Sequence, residues 1–128
     1  MKKGGPECQS DIFCGVNSPK NEKELTDLEK KHTPVIECPD VVEKGKCFIV
    51  NVEVGKLMAH PNEPGHSIQF IELYSGDTYL GKMDFTAERT CPKASFCVSI
   101  NHDHGDIRAF ERCNLHGVWE ARKAIKVK

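Results

Sequence analysis

The chain has 128 residues, of which 29% are charged, and a formal net charge of −1. That length sets a prior of about one domain, and folding should bury roughly two-thirds of the extended chain's surface. The near-zero charge leaves no basic field for nucleic acid or an anionic membrane surface, so neither is expected as a partner. Apolar runs such as CFIV are far too short to span a bilayer. The opening MKKGGPECQSD carries two lysines with no apolar run behind them, so no signal peptide is expected. These features predict a soluble, cytoplasmic protein.

Residues 1–20 are polar and broken by Gly and Pro, and read as an irregular leader. The segment NEKELTDLEKK over 21–31 predicts a short charged helix with Leu25 and Leu28 on one face. From Pro34 the pattern turns to β. Val35-Ile36 opens a first strand, and Phe48, Val50, Val52 and Val54 alternate inward along a second. Ile68, Phe70, Glu72 and Tyr74 mark a third, turned by Ser75-Gly76-Asp77 into a fourth over 79–85. Ala94, Phe96, Val98 and Ile100 mark a fifth, 107–112 a sixth, and 118–127 a seventh. Seven short strands at regular spacing predict an all-β, antiparallel sandwich. The domain reading is a leader plus helix over 1–31, followed by a β body over 32–128.

Seven cysteines match no small secreted scaffold, and in a reducing compartment most should be free thiols. Cys38, Cys47, Cys91 and Cys97 fall in or beside strand patterns, where buried packing is expected. Cys8 and Cys14 stand apart in the leader, at a spacing wrong for the C-x-x-C pairs of a rubredoxin-type iron site.

Chemistry concentrates elsewhere. Cys113 and His116 stand three apart in CNLHGVW, His60 and His66 flank HPNEPGH, and His32 precedes the first strand. If successive strands run antiparallel, alternate connections fall at one end of the sandwich. The connections holding His60/His66 and Cys113/His116 are both even-numbered, and His32 precedes strand one at that same end. The turn with His102 and His104 is odd-numbered and falls at the opposite end, where they read as polar turn residues. Cys91 also falls at the ligand end, so parity alone does not define the site.

Four imidazoles and one thiolate are one donor too many for a closed tetrahedral zinc site. A blue-copper site would use two His and one Cys, fewer imidazoles than are present here. Iron with four nitrogens, one sulfur and an open position fits the donor set best.

The segments KHTPVIECPD, HPNEPGHSIQFIELY and CNLHGVWE resemble those of the superoxide reductases, in the one-iron, neelaredoxin-type form equivalent to the iron-site domain of desulfoferrodoxin. The likeness runs from about His32 to the C-terminus. It implies an immunoglobulin-like sandwich and one iron ion per chain, ferrous in the active form. It also implies His32, His60, His66 and His116 as imidazole ligands and Cys113 as the thiolate opposite the open position. The implied reaction is one-electron reduction of superoxide to hydrogen peroxide, fed by a rubredoxin-like donor, in a homotetramer.

The family pattern Glu-Lys-His-x-Pro appears here as Glu29-Lys30-Lys31-His32-Thr33-Pro34. Lys31 matches the lysine beside the ligand, where its charge would draw in superoxide anion. Lys30 occupies the usual glutamate position, which leaves Glu29, Glu63 or water and hydroxide for the sixth ferric position. Backbone N–H groups at Asn114 and Leu115 are placed to hydrogen-bond the sulfur. The competing expectation is a structural or storage zinc module on the same β body.

Overall fold

The computed structural model describes residues 2–3, 8 and 10–128. In chain order the elements are β1 (Lys2–Lys3), β2 (Val16–Asn17), α1 (Asp27–His32), β3 (Val35–Glu37), β4 (Val41–Val42) and β5 (Phe48–Glu53). They continue with β6 (Ile68–Ser75), β7 (Thr78–Asp84), β8 (Lys93–Val98), β9 (Ile107–Cys113), β10 (Gly117–Lys123) and β11 (Lys126–Val127). The described residues are therefore mostly β, with one six-residue α-helix among them. Among the described residues no helix is long and apolar enough to cross a membrane.

Strands β1-β2-β10-β9-β6-β7 form a six-stranded sheet, and β3-β5-β8 a three-stranded one. The apolar core lies between them. Val50, Val52, Val54, Ala94, Val98 and Ile100 face Ile68, Ile71, Leu73, Ile107 and Ala109, all buried. Two pairings are parallel, β2 with β10 and β4 with β11. The wholly antiparallel expectation fails there because both involve two-residue strands reached by long connections rather than hairpins.

Each strand expected from sequence is present, but the third carries its apolar phase differently. Its buried residues are Ile68, Ile71, Leu73 and Ser75. A register shift between Ile68 and Phe70 inserts one residue, turning Phe70, Glu72 and Tyr74 to the outer face. The expected seventh strand divides into β10 and β11.

The helix begins at Asp27 rather than residue 21. Asn21 Oδ1 accepts from the Lys23 N–H, and the Glu24 N–H bonds the Asn21 carbonyl, so residues 21–24 close a turn instead. Thr26 then caps the helix: its hydroxyl accepts from the Glu29 N–H, and Glu29 Oε1 accepts from the Thr26 N–H. Acidic residues in the first turn and Lys30, Lys31 and His32 in the last complement the helix dipole.

The leader is less irregular than its composition implies, since β2 joins the large sheet beside β10. Cys8 and Cys14 form a disulfide, and the other five cysteines are free, as expected of most of them. Cys47, Cys91 and Cys97 are exposed and Cys38 is half-buried, against the expectation of buried packing. In β8 the reason is phase: Ala94 and Val98 take the inward positions, so Cys97 points out.

Candidate metal centre

The site sits where Ile68 of β6 pairs with Cys113 of β9, and where Gly117 of β10 pairs with the same Cys113. One ligand atom from each of His32, His60, His66 and Cys113 lies within 4.8 Å of the other three. His116 completes the cluster, its Nδ1 3.6 Å from Cys113 Sγ and its ring centroid 4.7 Å from that of His32. All five expected ligands are thus brought together. His102 and His104 stand exposed at the opposite end, ahead of Ile107, which pairs with Ser75.

The elements fix each donor. His32 ends α1 and is only 1% exposed, with Nδ1 2.7 Å from the Leu28 carbonyl one turn back. His60 Nδ1 lies 2.6 Å from the Pro61 carbonyl. A carbonyl can only accept, so each Nδ1 carries the proton and each Nε2 lone pair turns to the centre. The two Nε2 atoms are 3.2 Å apart. His66 Nε2 is buried with no hydrogen-bond partner among the described residues. A buried, unpartnered ring nitrogen is costly unless a metal fills the place of the missing partner. Three imidazoles thus offer Nε2 and His116 offers Nδ1, a distinction invisible in the sequence.

Burial and neighbouring charges keep His32, His60 and His116 neutral. Burial drives the His32 pKa down to about 4, with the neighbouring imidazoles adding to it against the Leu28 hydrogen bond. His60 also falls to about 4, mainly through burial and with the Lys31 charge contributing. His116 is lowered by burial, then by His66 and Lys31. The Lys31 charge therefore bears on both the His60 and His116 rings. Burial raises the Cys113 thiol, while N–H groups of Leu115 and His116 favour its thiolate. The Asn114 N–H goes instead to the Ser67 carbonyl. The sulfur's donors are therefore Leu115 and His116 rather than Asn114 and Leu115.

Asn114 does something the sequence did not reveal. Its Oδ1 accepts from the Ser67 N–H and its Nδ2 donates to the Gly65 carbonyl, both at 2.9 Å. One side chain thus ties the loop ending at His66 to the turn bearing Cys113 and His116. Trp119 stacks on His32 at 5.3 Å, and its Nε1 donates to the His116 carbonyl. Glu111 is fully buried, two residues before Cys113, and neither carboxyl oxygen has a partner among the described residues. Burial pushes its pKa well up, which favours the neutral acid. The period-two run Ile107, Ala109, Glu111, Cys113 is the signal that could have found it.

Glu29 is displaced from the site in function as well as in position. Its Oε2 accepts from the Lys20 N–H at 3.0 Å while Oε1 serves the Thr26 cap. Both oxygens are engaged away from the imidazoles.

A model of the desulfoferrodoxin family matches residues 24–122, which include all five donors. This chain belongs to the desulfoferrodoxin family. A relative from Methanocaldococcus jannaschii is 47% identical over 116 residues, covering 88% of this chain and 95% of the relative. A neelaredoxin from Megalodesulfovibrio gigas is 35% identical, covering 77% of this chain and 89% of that one. The solved superoxide reductase (neelaredoxin) of Ignicoccus hospitalis superposes with a TM-score of 0.76 at 37% identity, covering 88% of this chain and 95% of that chain.

Proposed function

We propose that this protein is a superoxide reductase that converts superoxide to hydrogen peroxide at one iron ion held by His32, His60, His66, His116 and Cys113. The convergence of four imidazoles and one cysteine sulfur at one end of the sandwich carries the reading. The buried, unpartnered Nε2 of His66 fits a metal, and the mixed nitrogen and sulfur set fits iron. When bound, ferrous iron supplies the one electron that superoxide takes, and two protons complete hydrogen peroxide.

The chain's own residues set the conditions. Lys31 places a positive charge beside His60 and His116, which attracts the anionic substrate. The Leu28 and Pro61 carbonyls hold two imidazoles in the ligating tautomer. Leu115 and His116 N–H groups stabilise the Cys113 thiolate and temper its electron donation. With Glu29 committed to the helix cap, Glu63 or solvent is left for the sixth position.

The family resemblance supports a rubredoxin-like donor, and exposed Leu28 and Leu115 offer it an apolar landing beside the site. It also supports a cytoplasmic homotetramer. We assign the two-layer body to the immunoglobulin-like class, its frame being the seven strands of three residues or more. Residues 32–128 are then the metal-binding body, and 1–31 a leader with a short charged helix.

The deciding test is the visible spectrum of the oxidised protein with iron measured on the same sample. One iron per chain and a long-wavelength thiolate-to-iron band, lost in Cys113→Ser, are expected. A colourless protein that keeps stoichiometric zinc after expression in iron-rich medium would replace the reductase with a zinc module.

A further inference from the structure

We propose that the Cys8–Cys14 pair is a thiol–disulfide exchange site, opened by dithiols and re-formed by hydrogen peroxide, whose state is felt at the Gly117 end of β10. The inference goes beyond superoxide reduction and rests on that reading only for a nearby source of peroxide.

Three observations converge. The first is the bond itself, in a chain whose other five cysteines are free thiols. The second is an asymmetry between its sulfurs. Cys8 is 4% exposed, whereas Cys14 is only partly buried. An external thiolate therefore reaches Cys14 first, and access decides which sulfur is attacked.

The third observation is what the bridged segment touches. Ile12, between the two cysteines, presses its carbonyl against Gly117. A Cβ at Gly117 would lie 2.3 Å from that oxygen, and the residue's φ of +78° is itself a glycine conformation. Asn17 Nδ2 donates to both the Ile12 and Val118 carbonyls at 2.9 Å. β2 then pairs Val16 with Val118 and Asn17 with Trp119. Phe13, next to Cys14, lies 5.9 Å from the guanidinium of Arg112, the residue before Cys113. The bridge thus sits on the strand start whose preceding residue is His116 and whose Trp119 stacks on His32.

The chemistry balances with partners of stated class. A dithiol's thiolate attacks Cys14 sulfur, breaking the Cys8–Cys14 bond and giving a mixed disulfide. The dithiol's second thiol then closes its own disulfide and releases Cys14, so two electrons and two protons pass to the chain. In the other direction, Cys14 thiolate attacks one peroxide oxygen, giving a sulfenic acid and one water after protonation. Cys8 attacks that sulfur and expels a second water. The sum is two thiols plus hydrogen peroxide giving one disulfide plus two waters.

The test uses the intact native protein. It is treated with dithiothreitol, desalted and quenched with N-ethylmaleimide, and alkylation at Cys8 and Cys14 is read by mass spectrometry. A parallel sample receives one equivalent of hydrogen peroxide before the quench. Alkylation of both residues should rise at least about tenfold on reduction and fall back after peroxide. Amide hydrogen exchange at Val118 and Trp119 should quicken at least about tenfold in the reduced protein and in Cys14→Ser. Cysteines that stay blocked through dithiothreitol, or that peroxide does not re-pair, would overturn the exchange site. Unchanged exchange at Val118 and Trp119 in the reduced wild type would overturn the link to β10. None of these readouts uses superoxide, so failure of the reductase reading would show separately.

Discussion

The two ends of the β6–β9 pair carry histidines under opposite conditions. At the Cys113 end, His32 is buried, Nδ1 atoms are held by carbonyls, and ring nitrogens converge on one point. At the Ile107 end, His102 and His104 are exposed on a turn, their rings 5.7 Å apart. Both ends pair two imidazoles in close sequence, so residue count does not separate them. What does is a carbonyl that fixes the tautomer and a burial that keeps the ring neutral. Proximity without those leaves a solvated turn.

Asn114 is the sharpest place to break the difference, since it joins the two ligand-bearing segments. Asn114→Ala leaves the Ser67 N–H and Gly65 carbonyl without their side-chain partners. The expected cost is roughly 1–3 kcal/mol in stability and about 10- to 100-fold in metal affinity, the range for lost outer-shell support. Thermal unfolding and competitive chelation measure the two. The double change His102→Ala and His104→Ala should stay within about 0.5 kcal/mol and leave metal affinity alone. Equal effects at the two ends would remove the distinction.

Lys31→Ala asks a narrower question of the ligand end. Its charge bears on His60 and His116. Removing it should slow the second-order reaction with superoxide by roughly tenfold at low salt and flatten its ionic-strength dependence. Fast-mixing kinetics over a salt series would show this. A rate and slope equal to wild type would mean that the lysine does not steer substrate.

How far the sequence carried differs between these parts. The five candidate ligands were legible because parity gathers their connections at one end, along with that of Cys91, and the likeness of the three segments to superoxide reductases singles out the five. The third strand's phase was not legible: a one-residue bulge after Ile68 reverses which side chains face inward, and no local residue announces it. The helix start was misplaced because charged residues suit a solvated turn and a helix equally, and Asn21 decides between them with one hydrogen bond. Asn114 acts through Ser67 and Gly65, far away in the chain, and spacing carries no information about those, whereas Glu111 was readable from the period-two run of β9. The leader's disulfide was missed because Cys8 and Cys14 show a pairing only once Ile12 and Asn17 are seated on β10.

A modest effect is expected at Glu29, which the structure commits to capping the helix that ends in His32. Burial opposes its charge, but N–H groups of Thr26 and Lys20 and the Thr26 hydroxyl win, holding its pKa below the usual value. A depressed carboxylate contributes stability above the unfolded pKa, near 4.5, and loses it as pH falls through the folded value. Glu29→Gln keeps one acceptor oxygen but no charge. At pH 7 it should cost about 1 kcal/mol, in the range of a weakened helix cap, and Tm should then fall less than wild type between about pH 5 and 3. The oxidised thiolate band should be unchanged, because neither Glu29 oxygen faces the imidazoles. A shifted band in Glu29→Gln would mean that the side chain leaves its cap for the metal. The capped helix would then be a resting arrangement rather than the working one.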